Sequence, residues 1–308
     1  MDRLTSMTVF ARVAASRSFS AAARDLGISQ ATASKHVQTL EDWIGTRLLH
    51  RTTRRVGLTE AGESFYAQCT RILEDMETAR QVGTPDARIR GTLRFTAPVA
   101  FGSALLGPLL VRFTQLYPDL ALNVTLVDRP VDLVEEGYDL ALQVIHGPLE
   151  DARQPGMLLQ QLMPMPFEVC AAPSYLAQAG IPERPADLAV HACITDNRHP
   201  GNVWRFTSPH GITEEVAIPS RVRADNGVLR REAALAGGGI LMAPAFLLAD
   251  DVAAGRLVRV LPTYRAQEAT LCLMCHASRA ALPKMRALIG FFTAQFQTEP
   301  TASGPASA

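Results

Sequence analysis

The chain lacks most of the signatures that announce catalysis or membrane insertion. Its formal net charge is zero over 308 residues, so general stickiness toward polyanions is not its mode of action. No uninterrupted apolar run approaches the roughly 18 residues of a membrane-crossing helix. The N-terminus is short of apolar run and goes straight into a helical pattern, unlike a signal peptide. The five cysteines are scattered without pairs, which suits reduced thiols. Together these absences lead to the expectation of a cytoplasmic protein with no membrane partner. Cys272, Cys275 and His276 spell C-x-x-C-H, the haem-attachment spacing. They lie inside the strand-like run ATLCLMCHA, where two cysteines serve as apolar filling, and haem attachment normally follows export. Gly237, Gly238 and Gly239 are not followed by Lys-Ser/Thr, so they make no phosphate loop. No G-x-S-x-G elbow is present. No metal and no cofactor are expected, and the chain does not read as an enzyme.

What is there is concentrated at the N-terminus. Phe19 to Ile44, FSAAARDLGISQATASKHVQTLEDWI, reads as two short helices joined by a tight turn. Ser29 is a natural N-cap, because its hydroxyl can accept a bond from an unpaired N–H of the first turn. Ala33, Val37, Leu40 and Ile44 recur at helical spacing and predict a buried stripe. Ala31, Ser34, Lys35 and Gln38 fall on the opposite face, where small, hydroxyl, cationic and amide side chains suit base edges and phosphates. In the helix before it, Phe19, Ala22, Ala23 and Leu26 form an apolar stripe, and Gly27 fits a C-terminal cap of positive φ. Leu4, Met7, Ala11 and Ala14 predict the inner face of a first helix. This is the layout of a helix-turn-helix, whose second helix enters the major groove of DNA. Taken alone it also suits an ordinary three-helix corner.

The next stretch, RLLHRTTRRVGLT, reads as a short β-ribbon rich in arginine. Residues 1–60 hold nine Lys/Arg against five Asp/Glu, a surplus of four, while the whole chain is neutral. The positive charge is therefore a local footprint.

The run from FSAAARDLGISQATASKHVQTLEDWIG through RLLHRTTRRVGLTEAG resembles the DNA-binding head of LysR-type transcriptional regulators, and chain length and pattern extend the resemblance to the rest of the chain. It implies a winged helix-turn-helix. Gln30, Thr32, Ser34 and Lys35 would meet the major groove, with the cap residue Ser29 before them and Gln38 further along the helix. Arg54 of the wing would reach the minor groove, and Arg51 and Arg55 would meet phosphates or act as structural partners. Ala31 stands where relatives often carry proline. Alanine is a good helix former, so the helix still forms.

From Thr59 to about Val82 the chain reads as one long helix, with Phe65, Cys69, Ile72, Met76 and Ala79 as an a/d seam suited to pairing two subunits. GTPDARIRG, with Gly83, Pro85 and Gly91, reads as a hinge. Strand-like and helix-like pieces then alternate, among them Thr92–Ala97, a helix near Gly102–Tyr117, Leu120–Val127, a short helix near Asp132–Glu136 and Tyr138–Val144. Alternation of this kind predicts α/β architecture with largely parallel sheets, in which ligands bind outside the carboxyl ends of strands.

The expected organisation is a winged helix-turn-helix over 1–58, a dimerisation helix and hinge over 59–90, an α/β domain over 91–300, and a disordered tail over 301–308. By resemblance the α/β domain has two lobes like those of periplasmic binding proteins, about 91–161 with 267–300, and about 162–266, holding a small-molecule effector between them. The candidate pocket residues are Pro98, Val99, Ala100, Phe101, His146, Arg198, Trp204 and Asn226. Many relatives carry a serine or threonine near Ala100 for an effector carboxylate, and Thr96 or Ser103 replaces it only in part. His146 and Arg198 remain as groups for an anion. The expected partners are operator DNA, a small-molecule effector and further copies of the chain, as a homodimer or homotetramer. A second reading is a small-molecule binding protein whose α/β domain works without DNA.

Overall fold

The computed structural model describes residues 2–51, 56–80, 89–197 and 203–297, with backbone alone at 51, 74–75 and 77–80. The chain divides into two compact units, Met1–Thr92 and Leu93–Ala308. The hinge glycine and proline at 83 and 85, and the tail beyond 297, lie outside the described residues.

The first unit holds α1 (Arg3–Ser16), α2 (Phe19–Leu26), α3 (Gln30–Ile44), the strands β1 (Leu49–Arg51) and β2 (Val56–Leu58), and α4 (Glu60–Arg80). Each boundary has a local cause. Ser18 and Ser29 cap α2 and α3 by accepting from Ala21 N–H and Thr32 N–H, and Gly27 ends α2 at φ 65°. That left-handed conformation costs glycine no Cβ clash. The core packs Phe10, Val13, Ala22, Ala33, Val37, Leu40, Leu48 and Cys69. The predicted stripe of α3 is buried except for the half-buried Ile44. The predicted inner face of α1 is corrected. Leu4 is exposed, and Val9, Phe10 and Val13 are buried beside Met7 and Ala14. α1 packs against α2, α3 and α4, so its buried face is wider than one stripe. The seam of α4 divides as well. Cys69 is fully buried in the head core and Phe65 packs against it, whereas Ile72 and Met76 are exposed. The side chain of Ala79 is outside the described residues. Gly62 lets α4 cross the wing closely, since a Cβ there would stand 1.9 Å from the Leu48 carbonyl oxygen.

The second unit is α/β. In order it holds β3 (Gly91–Ala97), α5 (Val99–Phe101), a π-helical turn (Gly102–Leu106), α6 (Gly107–Leu116), β4 (Leu120–Leu126), β5 (Leu140–His146), β6 (Met157–Ala171), α7 (Pro173–Ala179), β7 (Cys193–Thr195), β8 (Val203–Thr207), β9 (Thr213–Ala217), β10 (Ser220–Arg223), α8 (Gly227–Leu235), β11 (Ile240–Pro244), α9 (Ala245–Ala253), β12 (Val258–Arg259), β13 (Arg265–Ala266), β14 (Glu268–His276), α10 (Ala277–Ala280) and α11 (Pro283–Gln297). The main sheet runs β10-β7-β11-β6-β14-β5-β3-β4, with β12 on β6, and β13-β8-β9 form a small second sheet.

The main sheet is mixed rather than largely parallel. β7–β10, β7–β11 and β3–β5 are parallel, but β6 runs antiparallel to β14 and β11, and β14 antiparallel to β5. The long β6 explains this. It pairs with β14 as far as Pro166 and with β11 from Phe167 onward, so one strand crosses from one half of the domain to the other.

The expected short helix near Asp132–Glu136 is a hydrogen-bonded turn. The Asp132 carboxylate takes the Val134 and Glu135 N–H groups, and Gly137 reverses the chain at φ 74°. The continuous helical stretch Val99–Leu116 is, by length and composition alone, apolar enough to span a membrane, at mean hydropathy 1.4. Phe101, Leu106 and Phe113 are buried within the domain.

Candidate functional sites

The outer face of α3 is built on an anchored inner face. Ala33, Val37 and Leu40 are buried, and His36 Nδ1 lies 3.0 Å from Ser6 Oγ, tying α3 to α1. With the inner side fixed, Gln30, Ala31, Lys35 and Gln38 stand exposed, and Thr32 and Ser34 are half-buried. Ser29 is occupied at the cap. Its hydroxyl takes the Thr32 N–H at 3.0 Å and lies 2.8 Å from the Thr32 hydroxyl. Lys35 is one of two lysines in the chain, and the other, Lys284, is buried.

The wing is held by a group that sequence reasoning counted only as charge. Glu41 is buried at 6% exposure, and its Oε1 accepts from Leu48 N–H at 2.9 Å and Leu49 N–H at 3.1 Å. One α3 carboxylate thus fixes where the ribbon starts. β1 and β2 then pair antiparallel, Leu49 with Leu58 and Arg51 with Val56. Thr59 closes the far side, donating to the Arg47 carbonyl at 2.8 Å and accepting from Gly62 N–H at 2.9 Å. Arg51 lies in β1 with its side chain outside the described residues, and Arg54 and Arg55 lie outside them altogether. Exposed Arg47, part of the arginine-rich run but given no DNA contact from sequence, adds a cation at the foot of the ribbon. Beside α3, the Arg3 guanidinium lies 4.6 Å from the centre of the exposed Trp43 ring, within cation–π reach.

The second unit contains a cavity of about 670 Å³ whose wall includes Pro98, Ala100, Phe101, His146 and Trp204, a size suited to a small molecule. Val99 is not in the wall; its N–H donates to Asp128 Oδ1 at 3.1 Å. Asn226 stands just outside the wall as the N-cap of α8, accepting from Leu229 N–H at 2.9 Å, while Gly227 and Arg230 of the same turn line the cavity. Arg198 lies outside the described residues. Thr96 is buried and Ser103 exposed, and neither is in the wall. The wall is aromatic on several sides. Phe101 meets Phe246 edge to face at 6.4 Å, and His146 meets Phe167 at 5.6 Å. The sequence marked the stretch Thr195 to Trp204, which contains Asp196, but not Asp128, Arg205 or Arg230. Arg230 bonds Asp196 at 3.2 Å with both side chains largely buried, and Arg205 bonds Glu215 across β8 and β9 at 2.6 Å.

The thiols belong to the cores. All five cysteines are buried, and burial pushes Cys69, Cys170 and Cys193 up to about 12 and Cys272 up to about 11. Thiols held so fully protonated are poor nucleophiles and poor ligands. Cys272 and Cys275 sit inside β14, and His276 Nδ1 lies 2.7 Å from the Ser278 hydroxyl. Among the described residues no group of three or more His, Cys, Asp or Glu could hold a metal ion.

Two family models match the chain. The one described as a bacterial regulatory helix-turn-helix protein of the lysR family matches residues 4–63. The one described as the LysR substrate binding domain matches residues 86–297. The chain is 32% identical over 298 residues to the probable HTH-type transcriptional regulator LtrA of Klebsiella pneumoniae, covering 95% of this chain and 94% of that protein. It is 35% identical over 267 residues to the HTH-type transcriptional activator AaeR of Escherichia coli, covering 86% and 84%. Among solved structures, CrgA, a LysR-type transcriptional regulator from Neisseria meningitidis, superposes with a TM-score of 0.60 at 29% identity, covering 95% of this chain and 98% of that one. Full-length AphB, the Vibrio cholerae virulence activator, gives 0.59 at 26% identity, covering 96% and 100%.

Proposed function

The chain belongs to the LysR family of bacterial transcriptional regulators, and on that premise we propose how its parts divide the work. Its partners are double-stranded DNA, a small-molecule effector and further copies of itself. The division we propose is a DNA-binding head over 1–58, a pairing helix and hinge over 59–90, and an effector domain over 91–300. In the head, Gln30, Ser34, Lys35 and Gln38 read base edges in the major groove, with Ser29 and Thr32 setting the first turn. Arg51 and Arg55 meet phosphate, and Arg54 reaches the minor groove. The observation that carries this reading is the exposed polar face of α3, held in place from behind by His36 and Glu41. Exposed Ile72 and Met76 on α4 offer apolar surface to a second subunit.

In the effector domain, a ligand in the cavity shifts the balance between two arrangements of its halves, and through subunit packing changes how two heads engage two half-sites. The protein acts in the cytoplasm and by binding, without catalysis. A reading in which the α/β domain works without DNA has no use for the exposed face of α3.

The test is binding to the DNA upstream of the protein's own gene, followed by anisotropy over a salt series with scrambled competitor. Specific binding with a negative salt slope of about 0.9 per phosphate contacted is expected. Lys35→Ala should weaken operator binding more than binding to random DNA, and Arg51→Ala should weaken both alike. Equal losses for both variants refute the residue roles. No binding to any DNA at low salt refutes the regulator reading.

A further inference from the structure

The outer face of α3 carries one exposed group that cannot hydrogen-bond. Over the first two turns the exposed side chains are Gln30, Ala31 and Lys35. Gln30 and Lys35 can each bond a base edge or a phosphate. Ala31 ends in a methyl group. At about 100° per residue it stands on the same side as Lys35, four positions on, and Gln38, seven positions on, both exposed. It lies toward the middle of the outward face, not at its margin.

That methyl group is held in a fixed place. The Ser29 hydroxyl accepts from Thr32 N–H at 3.0 Å, and the Ser29 carbonyl accepts from Ala33 N–H at 3.0 Å, so the turn carrying Ala31 is closed. Behind it, Ala33 and Val37 are fully buried, and His36 meets Ser6. Alanine has no side-chain rotamers to lose on contact. A side chain this short touches a base only where the helix backbone itself comes close, and nothing on Ala31 holds the helix off.

The partner of a methyl group in the major groove is set by chemistry. Every base pair presents donors or acceptors there, and the C5-methyl of thymine is the apolar group among them. A methyl pressed against a donor or acceptor displaces its water and returns no bond, which is a cost. Against the thymine methyl it buries apolar surface on both partners, which is a gain. We propose that Ala31 is a specificity-determining residue that selects thymine in each half-site through its C5-methyl group, and that 5-methylcytosine restores the same contact. This rests on the outer face of α3 being the one that enters the groove. Thr32 carries another methyl group in this turn, but it is half-buried and its hydroxyl lies 2.8 Å from that of Ser29, so its orientation is set by the cap.

The experiment uses full-length protein and duplexes that it selects from a random pool. In a selected duplex each thymine in turn is replaced by deoxyuridine, which removes the C5-methyl group and nothing else, and affinity is read by anisotropy. One thymine in each half-site should show a loss of about four-fold, the value of one buried CH2-sized group. In Ala31→Gly and in Ala31→Ser that loss should shrink at least two-fold. Each reading is a ratio within one protein, so an overall loss of affinity cancels, and Ala31 is exposed, so neither substitution disturbs the core. At the same position a 5-methylcytosine–guanine pair should bind the wild type more tightly than a cytosine–guanine pair, and Ala31→Gly should not distinguish them. No deoxyuridine loss in the wild type, a loss unchanged in both variants, or no gain from 5-methylcytosine overturns the proposal. Specific binding without methyl dependence overturns the role of Ala31 alone, whereas selection of no duplex at all overturns the regulator reading on which it rests.

Discussion

Removing the Glu41 side chain should loosen the wing without touching any group on the outer face of α3. In Glu41→Ala two buried N–H groups, those of Leu48 and Leu49, lose their acceptor. An unsatisfied buried donor costs about 1–3 kcal/mol. Water entering the space left by the side chain relieves part of the sum, so a loss of about 3 kcal/mol in head stability is expected. Glu41→Gln is the informative control. Both N–H groups go to the same oxygen, Oε1, and an amide oxygen can accept both. For these two bonds the change is the loss of charge, worth about 1 kcal/mol.

The chain provides its own reporter. It has two tryptophans, Trp43 at the end of α3 and Trp204 in the second unit. In a Trp204→Phe background, Trp43 fluorescence during urea unfolding reports on the head alone. The alanine variant should lose about 2 kcal/mol more than the glutamine variant. On the proposed phosphate contacts of the wing, its DNA affinity should fall with a shallower salt slope. An alanine variant within about 0.5 kcal/mol of the wild type, the range of an ordinary surface substitution, would refute the account of how the wing is held.

Two further outcomes follow from burial. At pH 8 an amine-reactive reagent should modify Lys35 among the lysines and spare Lys284, which is 2% exposed; operator DNA should slow the Lys35 reaction at least ten-fold, and equal rates with and without DNA would contradict its place in the groove. Burial holds Cys69, Cys170 and Cys193 near 12 against an ordinary 9.0, which makes the thiolate scarcer by a factor of about a thousand below pH 9. A thiol dye at pH 8 should therefore label the native chain far more slowly than the unfolded one. The unfolded chain releases these protons from pH 9 upward and the folded chain does not until about 12, so their stabilising contribution is complete below 9 and declines across that interval. Rapid native labelling would show that these thiols are not enclosed.

The features legible in the sequence are those with short-range causes. The Ser29 cap, the Gly27 terminus and the spacing of Ala33, Val37 and Leu40 are settled within a few residues of each other, and the structure has all three. His36 and Glu41 were not legible as anchors. Their partners, Ser6 and the Leu48–Leu49 backbone, stand 30 and 7–8 positions away, and a polar residue on a helix reads as exposed until its partner is placed. The face of α1 misled for a related reason. Periodicity finds one stripe, but a helix packed on three neighbours buries Val9 and Val13 as well. In the cavity, the missing hydroxyl at Ala100 was visible from sequence. The Arg230–Asp196 pair, 34 positions apart, and the acceptance of the Val99 N–H by Asp128 needed the folded sheet.

The two sides of the cavity constrain any account of regulation. A ligand shifts an equilibrium only as far as its affinities for the two arrangements differ, so an effector that touched one side alone would bind both arrangements equally and change nothing. Here the first turn of α5 and the first turn of α8 approach closely, and a Cβ at Gly227 would lie 3.6 Å from the Ala100 Cβ. Any relative motion of these two turns alters that contact and the cavity between Asp128 and Arg230 together. A molecule packed on both Phe101 and Trp204 would span both sides. Each ten-fold preference it has for one arrangement is worth about 1.4 kcal/mol, within the range of a single charged hydrogen bond. One polar contact to the ligand can therefore supply a regulatory signal, provided it exists in only one of the two arrangements.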